Sequence, residues 1–326
     1  MAFNVVGGET DTLTGSAPPV AEGEAAKKIE GRSPWRLAAQ RLLRDRASMI
    51  ALGIIILIIL IAILAPVFAW LTGHGVSQQF RGPNTPVGLS PTGAPVGPSR
   101  TFLLGTDDQG RDILVRIAYG TRVSLFVGLV ATAIIVVVGT LAGLAAGYFG
   151  KLVDTVLARL MDWLLAFPFL LLAIALISVH GPGLVPVIIV LGLFGWASVG
   201  RIVRGQVLSI REREYVEAAR ALGARPWRIM LIDVLPNLIA QILVYASLLI
   251  PVTIVAEASL SFLGVGIPPP TPDWGAMINE GSQVYLYGQW WLLLFPSLAL
   301  LITTLAFNIF GDGVRDAFDP RGDLFV

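Results

Sequence analysis

Five stretches of this chain contain no Asp, Glu, Lys or Arg: residues 47–80, 123–150, 163–200, 234–256 and 281–311. A helix that crosses the hydrocarbon core of a bilayer needs about 20 apolar residues, so each stretch is long enough for one crossing. The third is long enough for two and is interrupted by "HGPG" at 180–183. Because helices of soluble proteins keep a polar face, a large soluble protein does not fit this pattern. The sequence predicts an all-α membrane protein with six transmembrane helices, at about 48–71, 123–147, 163–180, 184–201, 238–261 and 290–311.

The basic residues predict the orientation of these helices. If the N-terminus is cytoplasmic, the cytoplasmic segments contain 18 of the 23 Lys and Arg residues, and the first external loop contains the other five. Cytoplasmic loops carry such an excess of Lys and Arg, so both termini are predicted to be cytoplasmic. The net charge of +1 gives no indication of nucleic-acid binding, because this asymmetry accounts for the basic residues.

The residues before the first crossing have their own composition. Residues 1–31 are rich in Gly and Glu and are predicted to form a disordered cytoplasmic tail rather than a signal peptide. Residues 32–71 are interpreted as an amphipathic flank and the first transmembrane helix. The segment "PWRLAAQRLLRDRA" (34–47) predicts a basic amphipathic helix on the inner membrane surface, or simply the charged flank of the first crossing.

Residues 72–122 are predicted to be an external loop that ends in a short interfacial helix. Gly and Pro are frequent up to residue 100, which favours irregular backbone. The pattern then becomes helical, with Asp112 and Arg116 placed to form an i,i+4 ion pair. In the last external loop, Trp290 and Trp291 are typical of an anchor at the membrane surface.

The charged segment 209–236, inside the predicted 123–311 core, has the pattern of an elbow between two helices. Ser209 and Glu212 have the spacing of a capping box, which predicts a helix beginning at Ile210. Gly223 is typical of a left-handed helix end, and Pro226 suits the first turn of the next helix. That second helix is predicted to pack through Trp227, Met230, Leu231, Val234 and Leu235 and to break at Pro236. Residues 312–326 are predicted to form a cytoplasmic tail.

The elbow resembles the EAA motif of the permease subunits of bacterial ABC importers. The matching residues are Glu217-Ala218-Ala219, then Gly223, then "DVLP" ending at Pro236, although Asp233 stands where the family pattern has Ile. The stretches "LGTDDQGRDILVRIAYGTRVSL" (104–125), "EASLSFLGVGIPPPTPDWG" (257–275) and "GDGVRDAFDPR" (311–321) resemble the C-type subunit of the dipeptide, oligopeptide and nickel branch. The resemblance covers about residues 35–321.

This resemblance implies a type I ABC importer permease fold in the bacterial cytoplasmic membrane. It also implies partners: a homologous second permease, two cytoplasmic ATPase subunits and an extracytoplasmic binding protein. It makes the elbow the helix that couples the transmembrane helices to an ATPase, through Arg213, Glu217, Ala218, Ala219, Arg220, Gly223 and Pro236. Glu257, Ser261 and Phe262 are the candidate residues of the translocation pathway.

The implied substrates are di- and oligopeptides, with nickel or another small solute as the alternative. This chain is expected to carry no cofactor, since its nearest approach to a P-loop, "AAGYFGKLV", lacks the first Gly and the Ser or Thr. ATP and Mg would belong to the ATPase subunits. A secondary transporter usually needs ionisable residues at mid-membrane, and the central parts of the predicted helices have none. A membrane enzyme or a metal site would need a cluster of ligands, but there is no cysteine and the two histidines, His74 and His180, are isolated.

Overall fold

The computed structural model describes residues 34–81 and 87–319, and these residues are mostly helical. In chain order the helices are α1 (Pro34–Arg44), α2 (Arg46–Ile63), α3 (Ala65–Thr72), α4 (Ile113–Phe149), α5 (Lys151–Ala166), α6 (Phe169–His180), α7 (Leu184–Ile210), α8 (Glu214–Ala221), α9 (Pro226–Arg228), α10 (Leu235–Phe262), α11 (Trp274–Val284) and α12 (Trp291–Phe318). Within the described residues only two isolated backbone bridges form, and no strand. The predicted all-α fold is confirmed. The predicted tail 1–31 lies outside the described residues, as do residues 320–326.

Five helical segments are long and apolar enough to cross a membrane, and α5 with α6 would supply a sixth. The prediction of one unbroken helix over 163–180 is wrong, because α5 and α6 meet at an angle of 91°. Phe167 at the break is extended, with φ −88° and ψ 141°, and Pro168 follows it. Proline disfavours the helical conformation in the residue before it, so the chain leaves α5 there.

Helix α4 begins before the predicted second crossing and continues through it without a break. Its 37 residues correspond to a length of about 55 Å. The Asp112 carboxylate caps its first turn by accepting a hydrogen bond from the Leu114 N–H at 2.8 Å. The prediction of a separate interfacial helix is therefore wrong. Helix α12 likewise continues past residue 311 to Phe318, into the predicted C-terminal tail.

Helix α7 is the most buried of the five crossings and packs closely along α4. Three glycines of α4, each four residues from the next, line the contact. A Cβ atom at Gly139 or Gly143 would lie 2.7 Å from a backbone oxygen of α7, and one at Gly147 would lie 2.6 Å from the Val207 side chain. Small residues at this spacing let two membrane helices approach closely. The crossing that contains α10 is the least buried, so most of its surface is left for lipid or for another subunit.

Residues 73–81 and 87–112 pack against the N-terminal ends of α4 and α12. The imidazole ring of His74 packs against the rings of Phe80 and Phe102, which also contact each other, and its Nδ1 atom is 2.5 Å from a carboxylate oxygen of Asp112. Trp291 is only 9% exposed and donates its indole N–H to the Thr106 carbonyl oxygen at 3.2 Å. The prediction that Trp291 anchors the chain at the membrane surface is therefore wrong. Its side chain holds this segment against α12.

The N-terminal amphipathic segment forms a helix of its own. Helix α1 ends at Arg44, and the Asp45 carboxylate caps α2 by accepting hydrogen bonds from the N–H groups of Ala47 and Ser48. The Trp35 ring packs edge-on against Phe318, with the ring centres 5.2 Å apart. Helix α1 therefore lies against the C-terminal end of α12.

Candidate functional site

The predicted elbow begins later in the chain than its capping pattern indicated. Ser209 lies inside α7, and α8 begins at Glu214, so the prediction of a helix start at Ile210 is wrong. One face of α8 attaches it to the bundle, since the Val216 side chain is fully buried and packs in a cluster that includes Val207, Ile229 and Val234. The burial of Val216 fixes the orientation of the short helix.

The turn at Gly223 has the predicted left-handed conformation, with φ +78°. The Gly223 N–H donates to the Arg220 carbonyl at 3.0 Å, and the Ala224 N–H donates to the Ala219 carbonyl at 3.1 Å. This pair of hydrogen bonds is the common pattern at a helix end where glycine is in the left-handed conformation. Pro226 then occupies the first turn of α9, as predicted. The helix–glycine–helix elbow is confirmed.

The second arm of the elbow differs from its prediction. It does not break at Pro236 but continues as one helical segment from Pro226 to Phe262. A wider π-helical turn over Ile229–Val234 precedes the proline, and there the Leu235 N–H donates to the Met230 carbonyl, five residues back. A wider turn accommodates a residue that has no N–H of its own. The side chains that pack inward are consequently Ile229, Val234 and Leu238, while Trp227 and Leu231 are exposed.

The outward face of the elbow carries charged side chains, and Leu222 is its most exposed apolar side chain. Leu222 is 88% exposed, next to the turn at Gly223. Within residues 34–81 and 87–319, neither Glu217 nor Arg220 lies within 4.0 Å of an oppositely charged side chain. The Arg220 guanidinium instead lies over the Tyr148 ring, 5.9 Å from its centre. Within the described residues, Glu217 therefore contributes no ion pair to its own helix.

The three candidate pathway residues lie at the C-terminal end of α10. Glu257 and Ser261 are inside the folded chain, and the Ser261 hydroxyl donates to a Glu257 carboxyl oxygen at 3.1 Å. Phe262 is at the surface. The structure brings Glu257 together with Asp273, a residue that the sequence interpretation missed although it lies within the quoted "TPDWG". A role in translocation for Glu257, Ser261 and Phe262 stays a prediction.

Asp273 is the N-cap of α11 and is fully buried. One of its carboxyl oxygens accepts a hydrogen bond from the Ala276 N–H at 2.9 Å. Burial raises the pKa of Asp273 above its ordinary value, because the charged form loses its hydration; the hydrogen bonds that Asp273 accepts and the Arg116 charge oppose that effect.

A network of buried charges lies beside this pair, between the segment before α4 and α11. The Arg111 Nε atom is 2.5 Å from an Asp107 carboxylate oxygen, and the Arg116 Nε atom is 3.3 Å from the same oxygen. A second nitrogen of Arg111 lies 3.6 Å from Glu280. Burial raises the pKa of Glu280 above its ordinary value, and the nearby charges of Arg116 and Arg111 offset only part of that increase. The predicted ion pair between Arg116 and Asp112 is wrong, since Asp112 contacts His74. The two arginines offset part of the negative charge of Asp107, Asp108 and Glu280, and together these side chains form an ion-pair network.

A mostly apolar cavity lies where α5 and α6 bend. Its walls include Phe167 and Phe169 from the bend and Leu249 and Val252 from α10. The hydroxyl groups of Ser198 and Thr253 are among the few polar groups of this wall, which is completed by other residues of α4, α5, α7 and α10. Nearer the start of α5, the side chains of Asp154 and Asp162 pair with Arg204 and Arg201 of α7. The bent segment is therefore fixed to α7 by charges at one end and borders an open space at the other.

Known protein families and relatives match this chain over nearly its whole length. Residues 135–323 match the model of the family described as binding-protein-dependent transport system inner membrane component. Residues 33–86 match the N-terminal transmembrane domain of oligopeptide transport permease C. These two matches include the elbow, the paired carboxyl groups of Glu257 and Asp273, and the first crossing.

Three relatives of similar length match most of the chain. The chain is 40% identical over 287 residues to the dipeptide transport system permease protein DppC of Bacillus subtilis (strain 168). The aligned region covers 88% of this chain and 84% of that protein. It is 39% identical over 306 residues to the oligopeptide transport system permease protein OppC of the same strain, covering 93% and 96%. It is 38% identical over 290 residues to the glutathione transport system permease protein GsiD of Pectobacterium atrosepticum, covering 89% and 92%.

Proposed function

This chain belongs to the family of binding-protein-dependent transport system inner membrane components, and we propose that it is the permease subunit of an ATP-driven importer of di- and oligopeptides. It is a multi-pass inner membrane protein with the type I ABC permease fold. The names of the relatives support the substrate class, because dipeptides, oligopeptides and glutathione are all short peptides or peptide-like solutes. Nickel remains the alternative substrate of the branch that the sequence resembles.

The elbow carries the proposal that ATP drives transport. Leu222 protrudes from the turn, and Glu217 and Arg220 beside it have no ion-pair partner within 4.0 Å in the described part of the chain. An apolar side chain flanked by charged ones fits a groove on a partner, where the apolar group is buried and the charges pair at the rim. We assign that groove to a cytoplasmic ATPase subunit. Val216 and the turn at Gly223 would transmit movement of the docked elbow to α7 and α10.

The remaining partners follow from the same assignment. A homologous second permease would cover the poorly buried surface of α10, two ATPases would bind ATP and Mg, and an extracytoplasmic binding protein would deliver the peptide. This chain would then be a non-catalytic subunit without a cofactor of its own. Alternating access between the two permeases would carry the peptide inward.

Single cysteines give the test, because the natural chain contains none. Leu222→Cys is expected to cross-link to an ATPase subunit in membranes that contain the assembled transporter. Leu286→Cys is the matched control, since Leu286 is equally exposed at 88% but lies in the turn after α11. Uptake of a labelled dipeptide and of Ni²⁺ by the same cells decides between the two substrates. Cross-linking of ATPase from position 286 but not from position 222 would contradict the assignment of the elbow.

A further inference from the structure

Two carboxyl groups on different helices are buried together near the C-terminal end of α10. Glu257 and Asp273 are both 0% exposed. Each uses one carboxyl oxygen in a hydrogen bond, Glu257 with the Ser261 hydroxyl and Asp273 with the Ala276 N–H. Within residues 34–81 and 87–319 the second oxygen of each has no hydrogen-bond partner, and neither does the buried Ser124 hydroxyl. That hydroxyl comes from α4 and lies next to the Glu257 carboxyl group.

The number of protons available at these groups is the decisive observation. The Ser261 hydroxyl lies next to both carboxyl groups. A serine hydroxyl has one proton to donate, and an ionised carboxylate can only accept. If both carboxyl groups were ionised, the hydroxyls of Ser124 and Ser261 could donate only one proton each, which leaves further acceptor positions of two buried anions without a donor. A proton on one of the two carboxyl groups would supply a further donor and would remove one of the two buried charges.

The surrounding charged groups do not neutralise two ionised carboxylates at Glu257 and Asp273. In the described ranges, no Arg, Lys or His nitrogen lies within 4.0 Å of either carboxyl group. Arg116 acts on Asp273 from a greater distance, but its Nε atom lies 3.3 Å from Asp107. The other charged groups around the pair belong to the same network and are Arg111, Asp107, Asp108 and Glu280. This network contains more acids than bases, so it supplies no free positive charge to the pair.

The backbone packs too tightly around the pair for a solvated site. A Cβ atom at Gly266 would lie 1.8 Å from the Ser261 hydroxyl oxygen, and one at Gly275 would lie 2.2 Å from the Ala258 carbonyl oxygen. The loop before α11 and the first turn of α11 are thus pressed directly onto α10. Two ionised carboxylates in such a place would repel each other without water to screen them.

We propose that Glu257, Asp273 and the hydroxyl groups of Ser124 and Ser261 form a buried proton-binding site that joins α4, α10 and the start of α11. The site holds one proton, which belongs to the pair of carboxyl groups rather than to either residue alone. While the proton is bound, the hydroxyl and carboxyl groups form a continuous set of hydrogen bonds between the three helices. When it leaves, two like charges face each other at the point where α11 rests on α10.

The site makes the folded state depend on pH in a defined direction. The folded chain retains a proton at pH values where a free carboxyl group, with a pKa near 4, has lost it. Since the folded state then binds more protons than the unfolded state, its stability falls as pH rises. The folding equilibrium constant is expected to fall by up to tenfold per pH unit above about pH 4, until the site itself loses its proton. Below that range the contribution is fully present.

Infrared difference spectroscopy of the purified full-length chain, with the subunits that co-purify, tests the proposal directly. A carbonyl band of a protonated carboxylic acid is expected at neutral pH, and it should be lost or strongly shifted in Glu257→Gln and in Asp273→Asn. The matched control is Asp312→Asn, an exposed acid near the C-terminal end of α12 that should leave the band unchanged. If Glu257→Gln does not assemble, Ser261→Ala is expected to shift the band and its titration without removing either carboxyl group.

Thermal unfolding between pH 6 and pH 9 supplies the second readout. The wild-type chain is expected to lose stability with rising pH, and the two amide variants are expected to lose less. Absence of a protonated carboxyl band that responds to these variants would overturn the proposal. So would a wild-type stability that follows added Na⁺ or Ca²⁺ instead of pH, since a metal ion would then occupy the pair.

Discussion

The turn at Gly223 allows the shape of the elbow to be changed without changing its charges. Its φ of +78° lies in the left-handed region, and a Cβ atom added there would meet nothing within 4 Å. Substitution with valine therefore costs only the backbone strain of a left-handed L-residue, about 1–2 kcal/mol. That corresponds to a roughly 5- to 30-fold smaller ratio of the correctly turned elbow to its other conformations.

Two further variants separate the turn from general destabilisation. Gly288→Val is the matched control, because Gly288 is also left-handed, with φ +85° and ψ 7°, and also has open space around it. It ends the turn after α11, far along the chain from the elbow. Gly223→Asn should retain most of the function, since asparagine tolerates the left-handed conformation.

Substrate-stimulated ATP hydrolysis by the transporter in lipid vesicles is the assay, together with the recovery of ATPase subunits during purification. Gly223→Val is expected to lower both, by up to roughly the same 5- to 30-fold factor, with Gly288→Val and Gly223→Asn close to wild type. Equal stimulation and full ATPase recovery in the two valine variants would refute the assignment of the elbow as the coupling element.

Three other changes have outcomes that follow from the structure or the sequence. Trp291→Phe removes a buried N–H donor and should cost about 1–3 kcal/mol in thermal unfolding, whereas Trp290→Phe, at a side chain that is 46% exposed, should change stability by less than about 0.5 kcal/mol. A membrane-impermeant thiol reagent should label a cysteine at Ser282 from outside the cell and not one at Ser209; equal labelling would contradict the predicted topology. Deletion of residues 2–30 should leave transport nearly unchanged, because their composition offers little apolar surface to pack, and loss of the assembled complex would show the reverse.

Much of the elbow could be predicted from local rules. Glycine at a left-handed helix end and proline in a first turn depend on the backbone of one or two residues, so Gly223 and Pro226 were interpreted correctly. The helix start at Ile210 was not, because Ser209 cannot cap a new helix when the preceding helix α7 continues through it. Whether a helix continues depends on what it packs against, and α7 packs along α4 for most of its length.

The contacts between charged residues likewise could not be predicted from sequence spacing. Asp112 and Arg116 have the spacing of a helical ion pair, yet Asp112 contacts His74, 38 residues away, and Arg116 contacts Asp107. Glu257 and Asp273 were both visible in one motif, but their proximity requires the intervening loop to fold back onto α10. Sequence spacing could indicate that these residues belong to a site and could not show which of them meet.

The sequence by itself determined which segments enter the membrane, because the exclusion of charged side chains from a bilayer is a property of each residue and needs no partner. The tertiary structure decided what the prolines do. Pro168 was expected to lie within a continuous helix and marks a 91° bend, while Pro236 was expected to break a helix that in fact continues. The two prolines have the same covalent geometry, but before Pro236 a π-helical turn accommodates the missing N–H, and before Pro168 the chain is extended. Which of these solutions is lower in free energy depends on the packing of the neighbouring helices, and that is settled only when the whole bundle has formed.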